Sequence, residues 1–319
     1  MNTKRIPRHT WITVSLVWAA ILAPRSASAF QQGAPTPSRD LSVRNAVDVE
    51  MLAEEQYRLG LAYLKSPEST ERAVEHLEKA VQLNPPNAEY HFRLAEAYGR
   101  DFSYANILRK PFIAAKMKTQ LELAVQHNPS SIEFREALIQ YYLLAPAILG
   151  GSSSKALAEA EAMKAYDPYF SLLAKANIQA EVGDHDQAND SYTRAIQMRP
   201  NAWQAYQRYG TYCLSVREID RAIQLFGKYV NLKPDTSASY ENLAGAYVRK
   251  RMYTEGIAAY LKAIEKDPSL THLLFRIAQL YEFKGDKSSA RGYYERYLQI
   301  NSSGSLASDA RTRIQDLRQ

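Results

Sequence analysis

The chain has 319 residues, 46% hydrophobic and 23% charged, with a net charge of +6 at pH 7. That balance excludes a disordered or collagen-like chain and supplies apolar material for a buried core. Lys4, Arg5, Arg8 and Arg25 lie in a first stretch of 29 residues with no Asp or Glu, so the rest carries only +2, and a nucleic-acid partner is not expected.

Residues 1–29 have the layout of a secretory signal peptide. Lys4, Arg5 and Arg8 form a positive start, Trp11 to Ala23 is a mostly apolar run, and Ala27-Ser28-Ala29 is a small-residue cleavage signal. The apolar run is short of the roughly 20 residues that span a bilayer. Cleavage after Ala29 is therefore expected, giving a periplasmic or secreted product. The one cysteine, Cys213, permits no disulfide within the chain and reads as a small core residue. Residues 30–44 are rich in Gln, Pro and Ser and read as a flexible linker.

From residue 45 to 304 apolar residues recur at helical spacing in units of about 34 residues. The clearest unit runs from Ser237 to Leu270. Tyr240, Leu243, Ala244 and Tyr247 share one helical face, Ile257, Tyr260, Ala263 and Ile264 share another, and Pro268 closes it. One period earlier stand Tyr206, Tyr209, Gly210, Cys213, Ala222, Phe226, Tyr229 and Pro234. One period later stand Leu274, Ile277, Ala278, Tyr281, Ala290, Tyr294 and Tyr297.

Four further units precede these, the second and third modified and the fourth regular again. The first has Leu59, Gly60, Tyr63, Ala73, Leu77, Ala80 and Pro85; the second has Leu94, Ala95, Tyr98, Leu121, Ala124 and Pro129. The third has Phe134, Leu138, Tyr141, Ala156, Ala160 and Pro168; the fourth has Ala176, Gly183, Ala188, Tyr192, Ala195 and Pro200. This pattern resembles the tetratricopeptide repeat. The resemblance implies an all-α fold, a right-handed α-solenoid superhelix of about seven helix pairs. Residues 305–319, with Ala310, Ile314 and Leu317 on one side, read as a C-terminal capping helix.

The second and third units carry extra residues between their helices. Residues 100–111 combine Phe102, Tyr104, Arg109 and Lys110, while residues 143–155 contain Gly150, Gly151 and Ser152. Backbone amides at Gly150-Gly151 could face an anion, although a glycine turn with a serine N-cap fits the spacing better. Both insertions fall in turns on one edge of the expected superhelix, as candidate recognition loops.

The resemblance further implies an inner groove lined by the first helix of each pair. Tyr57, Phe92 and Phe275 are large aromatics there, and Arg93, Arg135 and Arg276 add positive charge, a pairing used by peptide-binding surfaces. One subgroup of the family grips acidic C-terminal tails with two Lys, two Asn and one Arg. Asn242 and Arg276 match one Asn and the Arg, while Gln207, Thr211 and His272 occupy the other places.

His76, His91, His127, His185 and His272 are scattered, without metal-ligand spacing, and read as helix-surface residues. No metal, cofactor or catalytic group is expected. The leading expectation is a non-enzymatic envelope scaffold of bacterial type, holding a protein or peptide partner. The alternatives are a small-ligand protein or enzyme using the two insertions, and a subunit of an export or outer-membrane assembly machine.

Overall fold

The computed structural model describes residues 41–318, with side chains from Asp48 onward. The expected signal peptide and residues 30–40 of the expected linker lie outside the described residues. The first helix begins at Leu41, four residues ahead of the expected Asn45 start. Among the described residues there are fifteen α-helices and no strand. None is long and apolar enough to cross a membrane.

The described residues divide into two compact units, one ending at Ile178 and the other beginning at Gln179. In the N-terminal unit α1 (Leu41–Tyr63) pairs with α2 (Thr70–Leu83), α3 (Ala88–Tyr104) with α4 (Lys110–His127), and α5 (Ile132–Leu144) with α6 (Ser153–Ala162). Neighbouring pairs touch through α2 against α3 and α4 against α5. Each pair alone would expose an apolar face, and stacking buries it. The resulting core joins Leu77, Phe92, Leu94, Leu121, Phe134 and Met163, with the Phe92 and Phe134 rings stacked at 4.6 Å. Burying each such side chain contributes about 1.5–3 kcal/mol.

The unit boundary falls within α7 (Pro168–Val182). In the C-terminal unit α8 (His185–Met198) lies against α9 (Trp203–Ser215), which pairs with α10 (Ile219–Leu232). The pairs α11 (Ser237–Arg249) with α12 (Tyr253–Lys266) and α13 (His272–Phe283) with α14 (Lys287–Ile300) follow. The last helix, α15 (Ser305–Asp316), sets Ala307, Ala310 and Ile314 on Leu274, Phe275 and Tyr294, covering the face the final pair would expose.

Helix approach within a pair depends on small residues. A Cβ on Gly60 would lie 2.5 Å from Leu77, and one on Gly210 would lie 2.6 Å from the Phe226 ring. The turn inside each regular pair also needs one left-handed residue. Glycine supplies it at Gly183 (φ 84°) and Gly285 (φ 77°), one period apart from two arginines, Arg217 (φ 66°) and Arg251 (φ 62°), at the equivalent positions.

The extra residues of the second pair mostly extend helices. Helix α3 has 17 residues and α4 has 18, against 13 and 14 for the regular α9 and α10, which leaves a connecting turn at residues 105–109. Phe102 and Tyr104 therefore belong to the last turn of α3, and Lys110 opens α4. In the third pair the extra residues form a short 3-10 turn, Ala147–Leu149, ahead of α6.

Candidate functional site

A connected polar surface lies on α1 and α3 of the N-terminal unit. Asn87 caps α3 by accepting from the amides of Glu89 and Tyr90, which fixes where the helix starts. Glu89, Arg93 and Glu96 then recur at four- and three-residue steps on one face. Arg93 donates from Nε to Glu89 Oε1 at 2.6 Å and from a terminal nitrogen to Glu96 Oε2 at 2.9 Å. Tyr57 of α1 donates its hydroxyl to Glu89 at 3.4 Å and stacks on Tyr90 at 4.7 Å. Tyr90 in turn donates to Glu54 at 3.0 Å.

Glu96 stands out in this network. Its side chain is only 8% exposed, and its second oxygen, Oε1, has no hydrogen-bond partner among the described residues. Burial pushes its carboxyl up to about 7; Arg93 opposes the shift, and Glu133 and Glu89 add to it. Arg93 is shifted upward as well, held more firmly protonated by the two carboxylates despite its burial. The pairing favours the charged arginine but leaves the carboxyl inclined to stay neutral, because desolvation costs Glu96 more than one shared guanidinium returns. Glu96 governs the pH behaviour, since an arginine stays charged throughout. Burial, then Glu89, pushes the Tyr57 phenol up to about 12. Beside this network lies a cavity of about 710 Å³ lined by Glu50, Glu54, Glu55, Arg58, Asn87 and Tyr90. The face as a whole carries more carboxylates than cations.

Several expected groove residues lie elsewhere. Phe92 is fully buried against Phe134 and cannot meet a partner. Arg135 is buried too; it donates to the Pro129 carbonyl at 2.8 Å and pairs with Glu159, so it ties α5 to α6. Phe275 is buried edge-on to Tyr294 and Tyr297, at 5.2 and 5.6 Å. His91 is no surface histidine; its ring nitrogens lie 2.6 Å from Gln120 Oε1 and 2.7 Å from the Pro85 carbonyl. Helical spacing locates such residues on a helix but not relative to the next pair, which covers them.

In the C-terminal unit the first helices α9 and α11 lie against each other and carry half-buried Gln207 and Asn242. Asn242 donates to the Ala238 carbonyl of its own helix at 2.8 Å. His272 and Arg276, on α13, are exposed. Cys213 is buried, and desolvation followed by Glu218 pushes its thiol up to about 12.

The Gly150-Gly151 turn is closed to an anion. The Gly150 amide donates to Ala147, the Gly151 amide to Pro146 and the Ser152 amide to Tyr142, so the amides are already used. Ser152 caps α6 by accepting from the Lys155 amide. A Cβ at Gly151 would sit 1.7 Å from the Ala145 carbonyl oxygen, so this glycine is required by the turn itself. Arg109 lies 3.5 Å from Asp101 and 3.7 Å from Glu71, and Lys110 sits over the Phe102 ring at 5.0 Å. Tyr104 is largely exposed.

Sequence reading of the cations alone missed Glu54, Glu89 and Glu96. The available signal was the carboxylate spacing around Arg93, four positions before and three after, which predicts internal neutralisation.

Residues 173–239, 213–271 and 241–305 match a family model described as Tetratricopeptide repeat, and residues 56–87 match a second model of the same description. Together the two cover just over half of the chain. Tetratricopeptide repeat protein 37 of Xenopus laevis is 23% identical over 277 residues, which is 80% of this chain and 17% of that protein. Among solved structures, the human IFIT1 dimer with PPP-AAAA is 20% identical with a TM-score of 0.51, covering 83% of this chain and 63% of that one. A tetratricopeptide repeat protein from Parabacteroides merdae is 14% identical with a TM-score of 0.48, covering 84% of this chain and 100% of that one. The chain thus spans less than two thirds of the curated relative and of the IFIT1 chain.

Proposed function

Because this chain belongs to the tetratricopeptide repeat proteins, we propose that it is a non-enzymatic scaffold that holds a protein or peptide partner on the first helices of its repeats. The N-terminal unit selects a partner segment carrying Lys or Arg side chains. One observation carries this reading: Glu96 is buried beside Arg93 with one carboxylate oxygen unshared, on a face where Glu54 and Glu89 add further negative charge. An arriving ammonium or guanidinium would pair with the accessible Glu54 and Glu89 carboxylates, and its charge would favour the ionised form of the buried Glu96 carboxyl behind them. Tyr57, half-buried and stacked on the buried Tyr90 ring, offers its own ring for the apolar part of the segment. In the C-terminal unit Gln207, Asn242, His272 and Arg276 are the proposed contacts, on three successive first helices.

The charged start, apolar run and Ala27-Ser28-Ala29 support export, with cleavage after Ala29 and a periplasmic or secreted location in a bacterial source. The small-ligand alternative loses its anion site, since the Gly150-Gly151 amides are spent within their own turn.

The test is binding of fluorescent oligo-arginine and oligo-glutamate peptides to the full chain. Preference for the basic peptide, lost on Glu89→Gln with Glu96→Gln, is the expected result. Equal binding of both peptides, or preference for the acidic one, overturns the reading.

A further inference from the structure

The turn from α3 to α4 exposes large apolar side chains at its tip. Tyr104, Ile107, Leu108 and Phe112 are 68, 78, 79 and 74% exposed. The tip has a defined shape. Asn106 accepts from the amides of Leu108 and Arg109 at 3.1 Å each, and Pro111 stands in the first turn of α4, so Ile107 and Leu108 are held on an ordered turn. The corresponding turns of the regular pairs read Val216-Arg217-Glu218, Lys250-Arg251-Met252 and Lys284-Gly285-Asp286, all of three residues, and their two apolar side chains, Val216 and Met252, are half-buried. Four exposed apolar groups within nine residues are therefore a departure from the repeat, and such a patch calls for a surface to meet.

Charge identifies that surface. Residues 100–118 contain Arg100, Arg109, Lys110, Lys116 and Lys118 against Asp101 alone, and the neighbouring turn at residues 143–155 adds Lys155 with no acid. Glu71 and Glu78 of the adjoining pair reach Arg109 and Lys116, leaving the balance positive. Lys118 lies beside that neighbouring turn, 3.2 Å from where a Gly150 Cβ would stand. A protruding apolar tip with cations at its base suits an acyl and headgroup boundary, where the apolar groups enter and the cations meet phosphate. We propose that the α3–α4 turn docks the protein onto an anionic lipid surface, inserting Ile107, Leu108 and Phe112.

The test places an environment-sensitive dye on Leu108→Cys in the full chain, the buried Cys213 remaining unlabelled. Vesicles of phosphatidylcholine with phosphatidylglycerol should shift the dye emission to the blue, and pure phosphatidylcholine or high salt should not. Ile107→Ser with Phe112→Ser, judged folded by circular dichroism, should weaken the dye-reported partitioning about tenfold or more. Because the dye reports its own site, binding through residues 1–29 does not mimic the result. No shift with anionic vesicles, an equal shift with neutral ones, or a shift produced instead by a soluble protein fraction without lipid overturns the proposal.

Discussion

Replacing Glu96 by Gln should reverse part of the pH dependence of stability. In the folded protein the carboxyl holds its proton up to about 7, and in the unfolded chain a glutamate loses it near the reference value of 4.5. Below that reference value both states are protonated and the contribution is fully present. Between the two values the folded state binds a proton that the unfolded state has released, so stability falls as pH rises and the loss is complete above 7. The shift corresponds to about 3 kcal/mol, at about 1.4 kcal/mol per pH unit. Glutamine cannot ionise, yet its carbonyl can still accept from Arg93, so the variant keeps the hydrogen bond without the cost of a buried charge. Thermal melts of both proteins at pH 5 and pH 8 measure the effect. The variant should gain on the parent as pH rises, by about 2–4 °C per kcal/mol for a chain of this size. Parallel profiles for the two proteins would refute the reasoning.

Binding of an oligo-arginine peptide should release a proton near pH 7 and tighten as pH rises through 7. Calorimetry in buffers of different ionisation enthalpy reads this, and identical heats would count against it. Gly210→Ala should destabilise by about 1–3 kcal/mol through overpacking on Phe226, whereas Gly245→Ala, with open space around it, should stabilise by up to about 1 kcal/mol; urea titration separates the two, and equal signs would argue against close helix approach at Gly210. Arg217→Gly and Arg251→Gly should each raise the melting temperature by relieving a left-handed backbone worth about 1–2 kcal/mol, and lower melting temperatures would show that arginine tolerates the turn. Cys213 should resist alkylation in the folded protein at pH 8 and react once urea unfolds it; rapid native modification would contradict a thiol raised by burial.

The repeat was legible because its causes are local and recur. Gly210, Ala244 and Ala278 mark where two helices must approach, and Tyr209, Leu243 and Ile277 mark the large neighbours, all at fixed steps along one chain. The same local chemistry identified the Ser152 N-cap and the apolar side of α15. Left-handed backbone at Gly183, Arg217, Arg251 and Gly285 was hidden where arginine fills the position, since arginine carries no signal for positive φ.

Which polar and aromatic side chains remain available depends on the packing of one helix pair on the next. Phe92, Arg135 and Phe275 occupy plausible groove positions along their helices, but the neighbouring pair or the terminal helix covers them. The extra residues of the second pair lengthened α3 and α4 because nothing in them breaks a helix before Asn106, which turned an expected loop into a short exposed tip. Arg93 lost its apparent positive charge to Glu89 and Glu96, and burial raised Glu96 instead. Periodicity, caps and small-residue contacts are properties of a chain segment and its immediate neighbours, so they can be read from the order of residues. Burial and charge pairing depend on what lies across a stack of helices, and that is settled only when the stack is built.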